Sequence, residues 1–359
     1  MSNFEEYIRQ GEPQQKEKGY IWQTAIGLQE VDGLKPSAYL IETAKQNIEG
    51  DITFDEVKNR IDGYYKTLSD RQVNTNDRTE EADKVSAAIA EILSEKTFSF
   101  SPAEYLNIHR RLFSGIYKFA GKIRDYNIAK SEWVLNGETV LYASAINLRE
   151  TLEYDFKEEK AFNYKGLSKQ QVVEHIAHFV AYLWQIHIFG EGNTRTTAVF
   201  LIKYLHKLGF KDISNDLFAA HSWYFRNALV RANYENITQG IHRTDKYLVR
   251  FLSNLLLGEN NILKNRELNV SFVAPVNGGV NDTVKLQNGG VNGGVNGGVN
   301  ETQKEIISLI KENAHIRTYE MAQKLSKPVR TIENNIRQLK EKGIIARVGS
   351  DKTGHWEIK

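Results

Sequence analysis

Between residues 276 and 300 the sequence falls into repeats of Val-Asn-Gly-Gly, continuous from Val291 to Asn300. Glycine leaves the backbone its greatest freedom, and one valine per four residues cannot build a core. A four-residue period is also far too short for a solenoid unit. The stretch therefore reads as a tether, and the chain must fold as one unit before it and another after it. The 359 residues agree, since domains run to roughly 100–200 residues each. The expected division is an N-terminal helical region over 1–80, a core over 81–258, the linker over 259–302 and a small module over 303–359.

Charge is spread unevenly across that division. Residues 301–359 hold 12 Lys/Arg against 8 Asp/Glu, while the remaining 300 hold 35 against 37. Any nucleic-acid contact is thus expected in the C-terminal module. There are no cysteines, so disulfide frameworks, thiolate metal sites and cysteine nucleophiles are excluded, and a cytoplasmic setting fits. No run of about 20 apolar residues exists, so no membrane partner is expected. The polar N-terminus holds no apolar signal core.

Before the tether the pattern is mostly helical. Residues 168–186 place Val172, Val173, Ile176, Phe179, Val180, Leu183 and Trp184 on one wide stripe, with Ser168 as cap. A second stripe covers 194–208. Further helices are expected over 36–50, 54–66, 80–95, 102–114, 141–157, 221–232 and 243–257, with Pro102 after Ser101 as a sound start. Residues 123–142 break the rule: Asn136-Gly137 between short alternating runs predicts a β-hairpin. After the tether, helices over 303–313, 318–325 and 328–342 and two short strands resemble a winged helix-turn-helix, with 327–337 as its recognition helix.

Chemistry concentrates between the two striped helices, in His187-Ile-Phe-Gly-Glu-Gly-Asn-Thr-Arg-Thr-Thr. Gly190 and Gly192 allow a tight turn and close approach to a ligand. The helix that follows presents unpaired N–H groups and the positive end of its dipole to an anion. Thr194 adds a hydroxyl and Arg195 a planar cation suited to phosphate. Glu191 puts a hard oxygen ligand where Mg²⁺ would bridge to a di- or triphosphate. His187 titrates near neutrality and can take a proton from a hydroxyl. That set suits phosphoryl or nucleotidyl transfer. No Walker A string occurs, and a dinucleotide fingerprint would need glycine where Arg195 stands. His175 and His178, three apart, read as a satisfied helix face rather than a zinc site.

His187, Phe189, Glu191, Gly192, Asn193 and Arg195 resemble the Fic-domain signature H-P-F-x-[DE]-G-N-G-R-x-x-R. The resemblance spans roughly 85–256, with 123–142 where Fic proteins carry their flap. It implies a Fic-type helical core with a β-hairpin flap, and transfer of AMP from ATP to a hydroxyl of a target protein. His187 would be the base, and Glu191 would hold Mg²⁺. Gly190, Gly192, Asn193, Thr194 and Arg195 would bind the phosphates, with Tyr224 at the adenine. An extended target segment would dock on the flap by strand addition. Three positions depart from the signature: Ile188 for proline, Thr194 for glycine, and Ala198 for the terminal arginine that steadies the outer phosphates.

The resemblance also implies an inhibitory helix bearing [ST]-x-x-x-E-[GN]. Residues 45–50 offer Glu49-Gly50, and residues 308–313 offer Ser308, Glu312 and Asn313. Glu49 is preferred, with Arg195 as the partner left to it by Ala198. Two rival readings stand beside protein adenylylation. One is another phosphoryl or nucleotidyl transfer with a reoriented triphosphate. The other is a nucleotide-sensing regulator that binds DNA through 303–359. The tail also admits a homodimer.

Overall fold

The computed structural model describes residues 4–70, 77–210, 213, 216–272, 301–325, 327, 332, 335–336, 339–340, 344–348 and 355–358. The chain divides into two compact units, Met1–Asn277 and Gly278–Lys359. Among the described residues no helix is long and apolar enough to cross a membrane.

The first unit is helical. Its order is α1 (Glu5–Gln10), α2 (Pro13–Gly27), α3 (Ala38–Glu49), α4 (Phe54–Asp70), α5 (Asp77–Ser94) and α6 (Pro102–Phe113). Then come α7 (Leu148–Ala161), α8 (Lys169–Ile186), α9 (Asn193–Lys207), α10 (Asp216–Ala232) and α11 (Lys246–Leu257). The expected caps form. Ser101 accepts from the Glu104 N–H ahead of Pro102, and Ser168 and Gln171 cap α8 reciprocally. Apolar contact runs without a break from Trp22 and Leu40 to Phe200 and Phe251, so the N-terminal helices share the core of the rest. At the centre lies α9, whose residues Asn193–Leu205 are all buried.

Three local readings need correction. Helix α2 was not expected, because no single face of it is apolar. It packs against α1, α3, α5 and α10, so its buried residues Gly19, Ile21, Trp22, Thr24, Ala25 and Gly27 point several ways. Helix α7 starts at Leu148 rather than near 141, since Val140 and Tyr142 are spent on the core before it begins. Residues 123–142 double back at Asn136-Gly137, both with positive φ (55° and 96°), yet form no strand ladder. The turn chemistry holds, but the arms bond elsewhere. Glu132 forms a bidentate pair with Arg226 (2.7 and 2.9 Å) and Tyr234 donates to Glu138, while the arms are joined by isolated bonds such as Glu132 N–H to Glu138 O at 2.9 Å and Lys130 N–H to Thr139 Oγ1 at 3.0 Å.

The second unit holds α12 (Glu301–Glu312), α13 (Thr318–Lys324) and an antiparallel pair, β1 (Ile345–Val348) and β2 (His355–Ile358), with Ile345 opposite Ile358 and Val348 opposite His355. Its core gathers Ile306, Ile310, Ile316, Met321, Ile332, Leu339 and Trp356. The tether, residues 276–300, and most of the expected recognition helix lie outside the described residues; Ile332, Asn335 and Ile336 of that helix are helical, as are Leu339 and Lys340 just beyond it.

Candidate active site

Helix α8 ends at His187, which takes left-handed backbone angles (φ 48°, ψ 53°). Few residues other than glycine and asparagine do so, and here it turns the chain sharply into the loop before α9. The imidazole packs on Tyr142 and Trp184, with ring centroids 4.2 and 5.1 Å away. Its Nδ1 is buried without a hydrogen-bond partner. Burial first, then the charges of Lys130, Arg124 and Arg226, hold its pKa well below the ordinary 6.5. At neutral pH the ring is therefore uncharged and able to accept a proton.

The loop is held rigidly. Asn193 donates to the Phe189 carbonyl (2.8 Å) and accepts from the Phe189 N–H (3.0 Å), stapling the loop shut. Its side chain is thus spent on the loop. Gly192 has φ 76°, and a Cβ there would penetrate the Phe113 ring, so only glycine fits. Gly190 faces the Tyr126 hydroxyl, 2.6 Å from where its Cβ would stand. Thr194 accepts from the Trp184 indole at 3.0 Å. No side chain caps α9, which leaves its first N–H groups for an anion.

Glu191 extends outward, its side chain 53 % exposed and paired to Lys130 of the flap at 2.9 Å. Exposure makes this a weak pair, which a stronger cation displaces readily. One hard carboxylate beside the α9 N-terminus fits Mg²⁺ held mainly by phosphate oxygens and water.

Arg195 differs most from expectation. Its side chain is 1 % exposed and lies in the interior, not over the loop. Nη2 pairs with Glu81 (2.6 Å), Nη1 donates to Gln29 (3.0 Å), and Nε lies 2.8 Å off-axis from Asp32 Oδ2. The guanidinium also sits over the Phe113 ring. Burial opposes its charge, but Asp32 and Glu81 more than offset this and raise its pKa. Glu49, expected against Arg195, instead lies at the exposed end of α3, where the Tyr7 hydroxyl donates to it. Glu312 ends α12 in the second unit. Tyr224 is buried in α10 with Tyr247, Arg250 and Glu267 as its polar neighbours. His175 bonds Glu159 at 2.6 Å and stacks on Phe162.

Sequence reading missed His109. From α6 its Nε2 donates to the Glu191 carbonyl (3.0 Å), its Nδ1 accepts from the Gly121 N–H (2.8 Å), and its ring stacks 3.7 Å from Phe189. Nothing near His109 in the chain marks it, since its partners are 12 and 82 residues away. Burial, aided by Arg195, pushes its pKa down to about 4. An unfolded histidine takes up a proton near 6.5, so the folded state loses stability as pH falls from 6.5 to about 4, by about 1.4 kcal/mol per unit at most. His109→Gln should flatten that part of an acid-denaturation curve; an unchanged slope would refute the assignment.

A buried histidine, an uncapped helix N-terminus and an exposed carboxylate are gathered on one helix–loop–helix. Residues 99–205 match the Fic/DOC family, and residues 299–346 match the winged helix-turn-helix DNA-binding family. The chain thus carries a Fic/DOC domain over 99–205 and a winged helix-turn-helix over 299–346. Among solved structures it is similar to the N-terminal FIC domain of Bep8, a VirB-translocated effector of Bartonella sp. 1-1C, at 19% identity over 49% of this chain and 82% of that one (TM-score 0.38). It is also similar to a Fic family protein from Desulfovibrio desulfuricans G20, at 13% identity over 99% and 94% of the two chains (TM-score 0.46).

Proposed function

We propose that this protein transfers AMP from ATP to a Ser, Thr or Tyr hydroxyl of a target protein docked on residues 123–142. The observation that carries the reading is His187, buried against Tyr142 and Trp184 on the loop that opens α9. A base there removes the hydroxyl proton as the oxygen attacks the α-phosphorus and pyrophosphate leaves. The N–H groups of Asn193 and Thr194, reached past Gly190 and Gly192, bind the phosphates. Glu191 would hold Mg²⁺, which supplies charge neutralisation at the phosphates when bound. Tyr224 of α10 is the residue proposed for the adenine. The test is ATP labelled at the α- or the γ-phosphate, with Mg²⁺ and a cell lysate. Label from the α position alone is expected. Label from the γ position would mean the kinase-like rival, with Ala198 the cause.

We also propose a different seat for the restraint. Arg195 pairs with Glu81 and donates to Gln29, while Asp32 stands 2.8 Å from Nε without a hydrogen bond, so Asp32 is the neighbour a phosphate would displace first. Asp32, in the turn Leu28–Asp32 ahead of α3, is the brake in this reading, in place of Glu49. For the winged helix, we propose DNA contact, favoured by its 12 basic against 8 acidic residues. Its affinity should fall steeply with salt, and a flat response would sink it.

A further inference from the structure

The flap's turn is held by a segment far along the chain. After the turn Asn265–Leu268, whose Leu268 is fully buried, residues 269–271 lie along Trp133–Asn136. The Val270 N–H donates to the Val134 carbonyl at 2.8 Å. Asn269 Nδ2 donates to the Trp133 carbonyl (3.0 Å) and to Asn136 Oδ1 (3.1 Å), and Asn136 Nδ2 donates to Ser271 Oγ (2.6 Å). Asn269 is itself preset, since its Oδ1 accepts from the Ser271 N–H at 2.9 Å. The clasp is anchored from beneath, where Asn227 donates to Asn265 and the Tyr247 hydroxyl to the Glu267 carbonyl. The arms it steadies carry Lys130, which meets Glu191, and Tyr142, which packs on His187.

We propose that Asn269, Val270 and Ser271 are positioning residues of the flap, a clasp that fixes the acceptor-docking arms against the catalytic loop. None of the three needs to touch ATP or the reacting atoms. Their effect is on where the acceptor sits. The Val134 carbonyl is already taken by Val270, so the turn itself is closed to strand addition and docking falls to the arms. The rival account is a plain staple. Val134 and Leu135 are buried and Glu132 is paired with Arg226, so the core could hold the flap unaided.

The docking half of the proposal rests on the function proposed above. The test uses the full chain as wild type, as the Asn269→Ala/Ser271→Ala double variant, and as Asn136→Gly. The last keeps the left-handed turn while losing both side-chain bonds. Hydrogen exchange at 130–138 should quicken roughly tenfold in both variants, with α8 unchanged. The lysate concentration giving half-maximal α-label should rise about tenfold, while the maximal rate and half-saturating ATP stay within about twofold. Unchanged exchange overturns the clasp. Faster exchange with unchanged lysate dependence overturns it too, leaving a staple. If wild type transfers no α-label, the function reading fails separately, and exchange decides. Loosening that spreads from Lys130 to the peptide holding Glu191 upholds the positioning role, and loosening confined to 132–138 refutes it.

Discussion

His187→Ala should lower transfer of α-label by about 10²–10⁴-fold, the usual worth of a positioned general base. His187 Nδ1 makes no protein hydrogen bond, so the substitution orphans no partner. It does place alanine in left-handed backbone, at a cost of about 1–2 kcal/mol. His187→Asn is therefore the better control, because asparagine tolerates those angles and still lacks a base of the right strength. Both variants should lose labelling while ATP binding, followed by displacement of a fluorescent analogue, stays within about threefold. Retained labelling in either variant would remove His187 from the chemistry.

Asp32→Ala should act in the opposite direction. Removing Asp32 takes away an ion-pair neighbour that makes no hydrogen bond to Nε, so labelling at subsaturating ATP should rise by roughly 3–10-fold. Asp32→Asn, which keeps the shape without the charge, should fall between. Glu49→Gly should change labelling little, since that carboxylate bonds Tyr7 at the protein surface. Activation by Glu49→Gly with none from Asp32→Ala would return the brake to Glu49.

Arg195 marks where linear spacing stops being informative. On a helix N-terminus, three residues after Gly192, an arginine reads as a phosphate ligand by proximity. Which way its long side chain turns depends on what the rest of the chain brings to α9. Here Glu81 from α5 and Asp32 and Gln29 from the turn after α2 arrive first, 114 to 166 residues away in sequence. Helix α2 was invisible for a related reason: a helix buried on several sides carries no single stripe. The flap turn was legible in Asn136-Gly137, but the fate of its arms rested on Arg226, Tyr234 and the clasp at 269–271.

Local sequence sets what depends on near neighbours. It fixed where α8 stops, that Gly190 and Gly192 bend the loop, that α9 opens without a cap beside His187 and Glu191, and that the glycine repeats divide the chain. Those features depend on backbone preference and hydrophobic period, which act over a few residues. The tertiary structure alone decided the states of the groups. Burial between Tyr142 and Trp184 keeps His187 neutral, His109 locks the loop from α6, and two distant acids hold Arg195. Such effects depend on desolvation and on charges meeting through space, and linear spacing records neither.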